Sequence, residues 1–281
     1  MGFEFIEFIK YIFLGIVQGI TEVLPISSSG HVEILKVLIG LDMDQNVLFL
    51  ILLNTGSLAT FIIIYFRRLW ALVKSFFIFV FKPTKRSENI ENTVYLLKVL
   101  IACIPAGIVG ILLKPLLESF MENYGILLAG LGLLLTATVI YFVSKIKVSE
   151  KEVKISWLDT LFIGLAQAVA IFPGVSRSGM TTSTALKRGI GITSALNFSF
   201  LMYIFISIAA TGLMIFDFTK EAIVIANIEY LYYAFTFIFT MIATYFAYKL
   251  IFNIFRSGKL KYFSIYCFIV GFLAIALYII L

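Results

Sequence analysis

"LPISSSGHVEIL", residues 24–35, sets three serines, a glycine and the single histidine of the chain inside otherwise oily sequence. Its reading decides the fold. Pro, Gly and Ser interrupt a helix, and an interruption that water forgives is costly in hydrocarbon, where freed N–H and C=O groups find no solvent. Composition says which solvent applies. Of 281 residues, 61% are apolar and only 14% charged, with a mean hydropathy of +1.05. A water-soluble domain of this size could not cover itself with so little polar surface. Apolar runs near the ~20 residues needed to cross ~30 Å of hydrocarbon recur along the chain, without the strict alternation of barrel strands. The class expected is an all-α polytopic membrane protein.

Six runs have the length of full crossings: about 46–66, 93–117, 123–144, 192–216, 228–250 and 262–281. Two further stretches, 5–41 and 155–190, are broken in the middle by "PISSSG" and "PGVSRSG". Broken backbone persists at membrane depth only when protein or a watery cavity surrounds it. Basic residues fall in three connections: Arg67, Arg68, Lys74, Lys82, Lys85 and Arg86; then Lys145, Lys147, Lys151 and Lys154; then Lys249, Arg256, Lys259 and Lys261. If all three face the cytoplasm, the chain between 145 and 192 enters and leaves on one side, so the second broken stretch is re-entrant. A full span there would move the 249–261 hairpin outside and the acidic Asp217, Glu221 and Glu229 connection inside.

The two broken stretches also resemble each other. At a constant offset of 149 residues, Gly15, Gln18, Ser27, Ser29 and Gly30 match Gly164, Gln167, Ser176, Ser178 and Gly179. Three crossings separate them, an odd number, so the copies point in opposite directions. The expectation is an inverted-topology repeat with two re-entrant helix pairs and about six full crossings, in which discontinuous helices build a site near the midplane. It forms a single membrane domain, 1–281: repeat 1 covers about 1–117 with the re-entrant pair 5–41, and repeat 2 about 123–281 with the pair 155–190.

Short helices are expected to start near His31 and Met180, each entered through Ser-x-Ser-Gly. Helix starts expose N–H groups and the positive end of the macrodipole, and serine hydroxyls add donors, so two tips facing each other make an anion site. Arg177 lies inside the second tip. An arginine at membrane depth marks function by default, and its planar fork suits phosphate, although a structural ion pair with Glu22 is the plainer alternative. Thr181 and Thr182 follow on the same helix start. Gln18 and Glu22, four residues apart, share one helix face. One carboxylate and an amide are too few for a divalent cation alone, but Mg²⁺ commonly uses one or two carboxylates plus phosphate oxygens, so the ion would arrive with a diphosphate. His31, beside Ser27, Ser28 and Ser29, could donate a proton to a leaving oxygen, activate a serine or act as nucleophile, and the residues leave these roles open. Glu33 is expected at the rim.

Other features have simpler readings. Gly15 to Gly19 and "PAGIVG" (105–110) suggest close helix packing, and the aromatic-rich stretch 69–81 an interfacial helix. Asn54, Thr55, Gly56 and Ser57 interrupt the first crossing, either as a kink beside the cavity or for packing. Cys103 and Cys267 lie in apolar runs and are expected to be small hydrophobes, not a disulfide or metal ligands. The first apolar run follows Glu4 and Glu7 and ends in no small-residue cleavage site, so no removable signal peptide is expected. A net charge of +6 comes without any basic amphipathic or aromatic-basic module, so no nucleic acid partner is expected.

The motifs "QGITEVLPISSSGH" (18–31) and "PGVSRSGMT" (173–181) resemble the two signature segments of the undecaprenyl pyrophosphate phosphatase family, also called the bacitracin-resistance family. The likeness runs on through "TGSLAT" (55–60), "FRRLW" (66–70) and "IPAGIVG" (104–110). It implies a multi-pass plasma-membrane phosphatase that removes the terminal phosphate of a polyprenyl diphosphate carrier, recycling the lipid for cell-envelope glycan synthesis, with its site opening toward the outer face. It also implies a divalent cation, Mg²⁺ before Ca²⁺, at Glu22 and Gln18. By motif position Glu22 is the essential carboxylate, Ser28 and His31 are the nucleophile and acid/base candidates, and Arg177 with Ser176 and Thr181 clamps the diphosphate. Ser27, Ser29, Gly30, Gly174 and Ser178 complete the expected substrate cradle. Gln18 stands where many members carry glutamate, which thins the metal shell. Partners expected are the lipid substrate and membrane lipids; a homodimer is left open. The competing reading is a transporter of lipid phosphate or small anions through the same site, disfavoured because a carrier needs no nucleophile.

Overall fold

A computed structural model describes residues 4–40, 47–146, 153–218 and 227–281. Lys147, Lys151 and Glu221 of the charge argument, and the Glu229 side chain, lie outside what is described. The described residues form helices and no strands: α1 (Phe5–Val23), α2 (Ser28–Ile39), α3 (Val47–Phe81), α4 (Arg86–Ser144), α5 (Trp157–Val169), α6 (Arg177–Lys187), α7 (Ile192–Phe218), α8 (Asn227–Arg256) and α9 (Leu260–Ile280), with one 3₁₀ turn at Pro83–Lys85. Among the described residues five helical stretches are long and apolar enough to cross a membrane: Leu48–Phe81, Pro83–Ser144, Ile192–Asp217, Tyr230–Arg256 and Leu260–Ile280.

Two differences from expectation have physical causes. The chain does not leave its helix at the basic pair Arg67 and Arg68; α3 continues to Phe81 and absorbs the stretch 69–81, since no Gly or Pro interrupts residues 57–81. The expected turn between the second and third runs is reduced to one residue with non-helical backbone, Tyr124, inside α4. The two arms of α4 still meet. Gly110 and Gly132 would stand about 33 Å apart on a straight helix. Yet Gly110 faces the Ile171 side chain and Gly132 faces Pro173, two positions apart on the α5–α6 connection. The helix therefore folds back at Tyr124.

α1–α2 and α5–α6 are hairpins. Arg188, just past the end of α6, donates from Nε to Asp159 Oδ1 at the start of α5 at 2.7 Å, so both ends of this hairpin lie together. Phe8 of α1 and Ile39 of α2 pack on one aromatic cluster with Tyr11, Phe49 and Tyr232. The hairpins enter from opposite ends of α8. Glu4, ahead of α1, donates its N–H to Tyr232 near the beginning of α8, whereas Arg256 at its far end donates to Thr193, which follows the second hairpin. Their tips meet in the middle, where Ser178 Oγ donates to the Leu24 carbonyl at 3.2 Å. Small residues permit this packing: a Cβ on Gly15 or Gly19 would sit 2.7 Å from the Thr236 carbonyl oxygen or 2.5 Å from that of Thr240, so α1 and α8 touch backbone to backbone. "PAGIVG" behaves otherwise. Nothing lies within 4 Å of a Cβ on Gly107, and Ala106, Gly107 and Gly110 line a cavity.

The basic connections gather at one end. Arg68 donates to Asn92, Lys154 to Glu91 and Lys98 to the Ile155 carbonyl, tying α3, α4 and the approach to α5 together beside the Arg256 contact. At the other end Lys114 pairs with Asp217.

Candidate active site

Both tips are built by one local rule. Ser27 and Ser176 are the N-caps of α2 and α6, each accepting on its side-chain oxygen the N–H three residues on, from Gly30 at 3.3 Å and Gly179 at 3.1 Å. The helices consequently start at Ser28 and Arg177, three residues earlier than expected, because a serine hydroxyl satisfies an otherwise orphaned N–H at that position. The Ser-x-Ser-Gly segments thus form the first helical turns themselves. Ser27 has φ +69, the one positive φ at a non-glycine among the described residues. Such backbone costs of order 1–3 kcal/mol and persists when neighbours hold it. Here His31 does the holding: its Nδ1 lies 2.7 Å from the Ser27 carbonyl, which can only accept, so Nδ1 carries the hydrogen.

Thr136 on α4 fixes the second tip by accepting the Ser176 N–H at 2.9 Å. Gly174, at φ +79, lies so close to α4 that an added Cβ would run into the Ala129 carbonyl. Gly174→Ala is expected to combine backbone strain with that clash and to cost about 2 kcal/mol or more. Thermal unfolding in detergent, run beside Gly189→Ala, where φ is also positive but nothing lies within 4 Å of the new methyl, separates clash from strain.

The tips bring Glu22 and Arg177 into direct contact. Glu22 Oε1 pairs with Arg177 Nη2, while Glu22 Oε2 accepts from Ser28 Oγ at 2.6 Å and Gln18 Nε2 at 3.0 Å. The Glu22 side chain is 5% exposed, and both its carboxylate oxygens are engaged. Arg177 also donates to Ser207 Oγ at 3.4 Å and lies 4.1 Å from the Tyr203 ring centroid, a cation–π contact that orients the guanidinium plane. The plainer alternative weighed for Arg177, an ion pair with Glu22, is thus present, and it stands on the wall of a cavity of about 510 Å³. Glu22, Ser27, Ser28, Ser29, Ser176, Arg177 and Ser178 line that cavity together, and Asn54, Gln167 and Lys114 join them.

Other expected residues stand back from it. Gly30 and Gly174 are where the tips touch, with a Cβ on Gly30 lying 3.2 Å from Gly174 Cα. Thr181 turns to Ser199 Oγ at 2.6 Å and to the Arg177 carbonyl. Thr182 is buried in the helix interface. His31 is outside the lining, with Nε2 2.8 Å from the Tyr266 hydroxyl and the two rings stacked. Glu33 faces Gly125 and pairs with Lys36 at 3.5 Å. In the interrupted stretch of α3, Asn54 reaches the cavity, while Gly56 and Ser57 serve packing: Gly56 against Thr240 and Ser57 bonded to Thr244.

Among the described residues no three His, Cys, Asp or Glu side chains come together to hold a metal ion. The donor set at the joint tip is hard oxygen: one carboxylate, the serine hydroxyls and the Asn54 amide. That set suits Mg²⁺ or Ca²⁺ only when phosphate oxygens complete the shell.

Comparison with known proteins agrees in extent and in name. The family model described as bacitracin resistance protein BacA matches residues 11–273. The protein named undecaprenyl-diphosphatase from Oceanobacillus iheyensis is 38% identical over 97% of each chain. Its namesake from Acholeplasma laidlawii is 38% identical over 98% of this chain and 99% of its own. Undecaprenyl-diphosphatase 2 of Bacillus thuringiensis is 36% identical over 97% and 98%.

Proposed function

The chain belongs to the bacitracin resistance protein BacA family, and on that premise we propose that it is an integral membrane phosphatase acting on undecaprenyl diphosphate. It removes the terminal phosphate and leaves the monophosphate for another round of envelope glycan synthesis. The observation that carries this reading is the hydrogen bond from Ser28 to a carboxylate that also holds Arg177, all on one cavity wall.

In this reading the tips are re-entrant pairs of an inverted repeat, and the two arms of α4 are separate crossings, giving six. The cavity wall runs along α4 and α7 to Lys114 and Met214, at the end opposite the basic connections, so the site opens outward. The prenyl tail follows the apolar wall of Ile111, Ile171 and Leu213, and the diphosphate reaches Arg177. Anionic oxygens then compete with Glu22 for the guanidinium. As Arg177 turns to phosphate, Glu22 is left with Ser28 alone among hydroxyls, and becomes the base that takes its proton. Ser28 attacks the terminal phosphorus as its bond to the bridging oxygen breaks and undecaprenyl monophosphate departs, water then releasing phosphate from the seryl ester, or Ser28 holds the water that attacks directly, while Arg177, Ser176, Ser178 and the helix-start amides spread charge over the phosphoryl group in transfer. His31 keeps the strained Ser27 turn in place. A divalent cation held by Glu22 with the serine hydroxyls, the Asn54 amide and the substrate's own oxygens would add charge neutralisation, with Gln18 positioning Glu22 from off the cavity lining.

Phosphate release from undecaprenyl diphosphate by the purified protein in detergent, with and without chelator, tests the reading. Release that stops with chelator and returns with Mg²⁺ is expected; no release from folded protein under either condition would overturn it. Ser28→Ala is expected to lower kcat by about 10²-fold, the residue left by water occupying the vacated place. Activity within twofold of the parent would remove Ser28 from the reaction.

A further inference from the structure

A second cavity, of about 960 Å³, lies at the basic end of the molecule and takes no part in the chemistry above. Helices α3, α4 and α7 line both cavities. Along α3, Asn54 faces the upper cavity and residues 64–68 the lower; along α7 these are residues 206–214 and 194–201. Between them Phe61, Phe200 and Tyr203 are buried with ring centroids 4.8–4.9 Å from Phe61, closing one space from the other. Thirteen helical steps lead from Asn54 to Arg67, about 20 Å.

The lower cavity carries an excess of donors. Among the described residues, Arg67, Arg68, Lys98 and Lys154 line it against one carboxylate, Glu91, which is already bonded to Lys154 at 2.7 Å. Arg68 is oriented by the Tyr95 ring, 5.2 Å from its centroid, and by Asn92. Tyr65 donates to Asn197 Oδ1 at 2.7 Å, which turns the amide nitrogen of Asn197 into a further donor on the lining. Ile64, Val94 and Leu201 supply an apolar wall beside these groups. Cations fixed next to an apolar wall, at the end facing the cytoplasmic leaflet, match a phosphate carried on a hydrocarbon chain.

We propose that this basic-end cavity is a second binding site, for the phosphate headgroup of an anionic lipid drawn from the leaflet at that end. It does not depend on the phosphatase reading. Two sources share the chemistry, a bulk phospholipid and a polyprenyl monophosphate.

Native mass spectrometry of the full-length protein in detergent tests the proposal, with phosphatidylglycerol, phosphatidylcholine and a polyprenyl monophosphate as separate probes. Phosphatidylglycerol or the monophosphate should be retained about tenfold or more over phosphatidylcholine, since each basic side chain near such a headgroup counts for roughly fivefold. Whichever of the two is retained names the source. Arg67→Gln with Arg68→Gln should abolish the preference; Arg67→Gln with Lys154→Gln, both on exposed side chains, should do so without disturbing the Tyr95 contact. Arg177→Ala should leave the phosphatidylglycerol preference intact, and the monophosphate, which the upper cavity also binds, is scored with both double variants built on Arg177→Ala. Equal retention of the anionic and zwitterionic lipids, a preference that survives both double variants, or a preference lost in Arg177→Ala would each overturn the site.

Discussion

Arg177→Ala is expected to lower phosphate release by about 10³-fold or more, while the protein still inserts and elutes as the parent does. The side chain reaches its place through an N-capped helix start, a cation–π contact with Tyr203 and a bond to Ser207, so its guanidinium is pre-oriented toward the cavity. A fixed fork of that kind stabilises charge on a transferring phosphoryl group without reorganisation, and the cost of losing it falls on kcat. The helix begins with the backbone of residue 177 and keeps its Ser176 cap, so α6 itself does not need the side chain. Arg177→Lys should recover only part of the rate, because an ammonium keeps the charge and loses the planar fork. Full activity in Arg177→Ala would refute the site.

Glu22→Ala should be comparably severe, about 10³-fold in kcat, for a different reason. The carboxylate is the meeting point of four side chains: Arg177, Ser28, Gln18 and its own. Removing it takes the base from Ser28, leaves Arg177 without its counter-charge and withdraws the carboxylate expected to hold the divalent cation. Glu22→Gln separates these effects. An amide fills the same space and can keep partners for Gln18 and Ser28, so stability should stay closer to the parent while activity is still lost. Thermal unfolding and phosphate release measured on both variants check this. If Glu22→Gln kept full activity, charge at residue 22 would be irrelevant and the proposed base would be lost.

Much of this is legible in the sequence. The composition calls for a membrane, the broken motifs call for protein around them, and the matched Ser-x-Ser-Gly segments call for like tips: Ser27 with Gly30 and Ser176 with Gly179 make the same N-cap. Gln167 on the cavity wall was also within reach, as the repeat partner of Gln18. Lys114 was signalled only weakly, by a charge at the end of an apolar run. Thr136, Ser199, Tyr203, Ser207 and Tyr266 carried no signal, since each lies in unbroken apolar or hydroxyl-dotted helix where sequence cannot tell a packing residue from a partner.

Sequence alone determined solvent, class and local punctuation, because hydropathy, helix period and serine capping depend on residues a few positions apart. Which groups share a wall was decided only by tertiary structure. Glu22 and Arg177 lie 155 residues apart. Their contact depends on two hairpins entering from opposite ends, on α4 folding back at Tyr124, and on Gly132 and Gly174 allowing backbones to touch. The same packing turned His31 toward Tyr266 and away from the cavity, and opened space beside Gly107 where the spacing of small residues had suggested a helix contact. Small residues permit close approach; whether a neighbour arrives is settled by the rest of the fold.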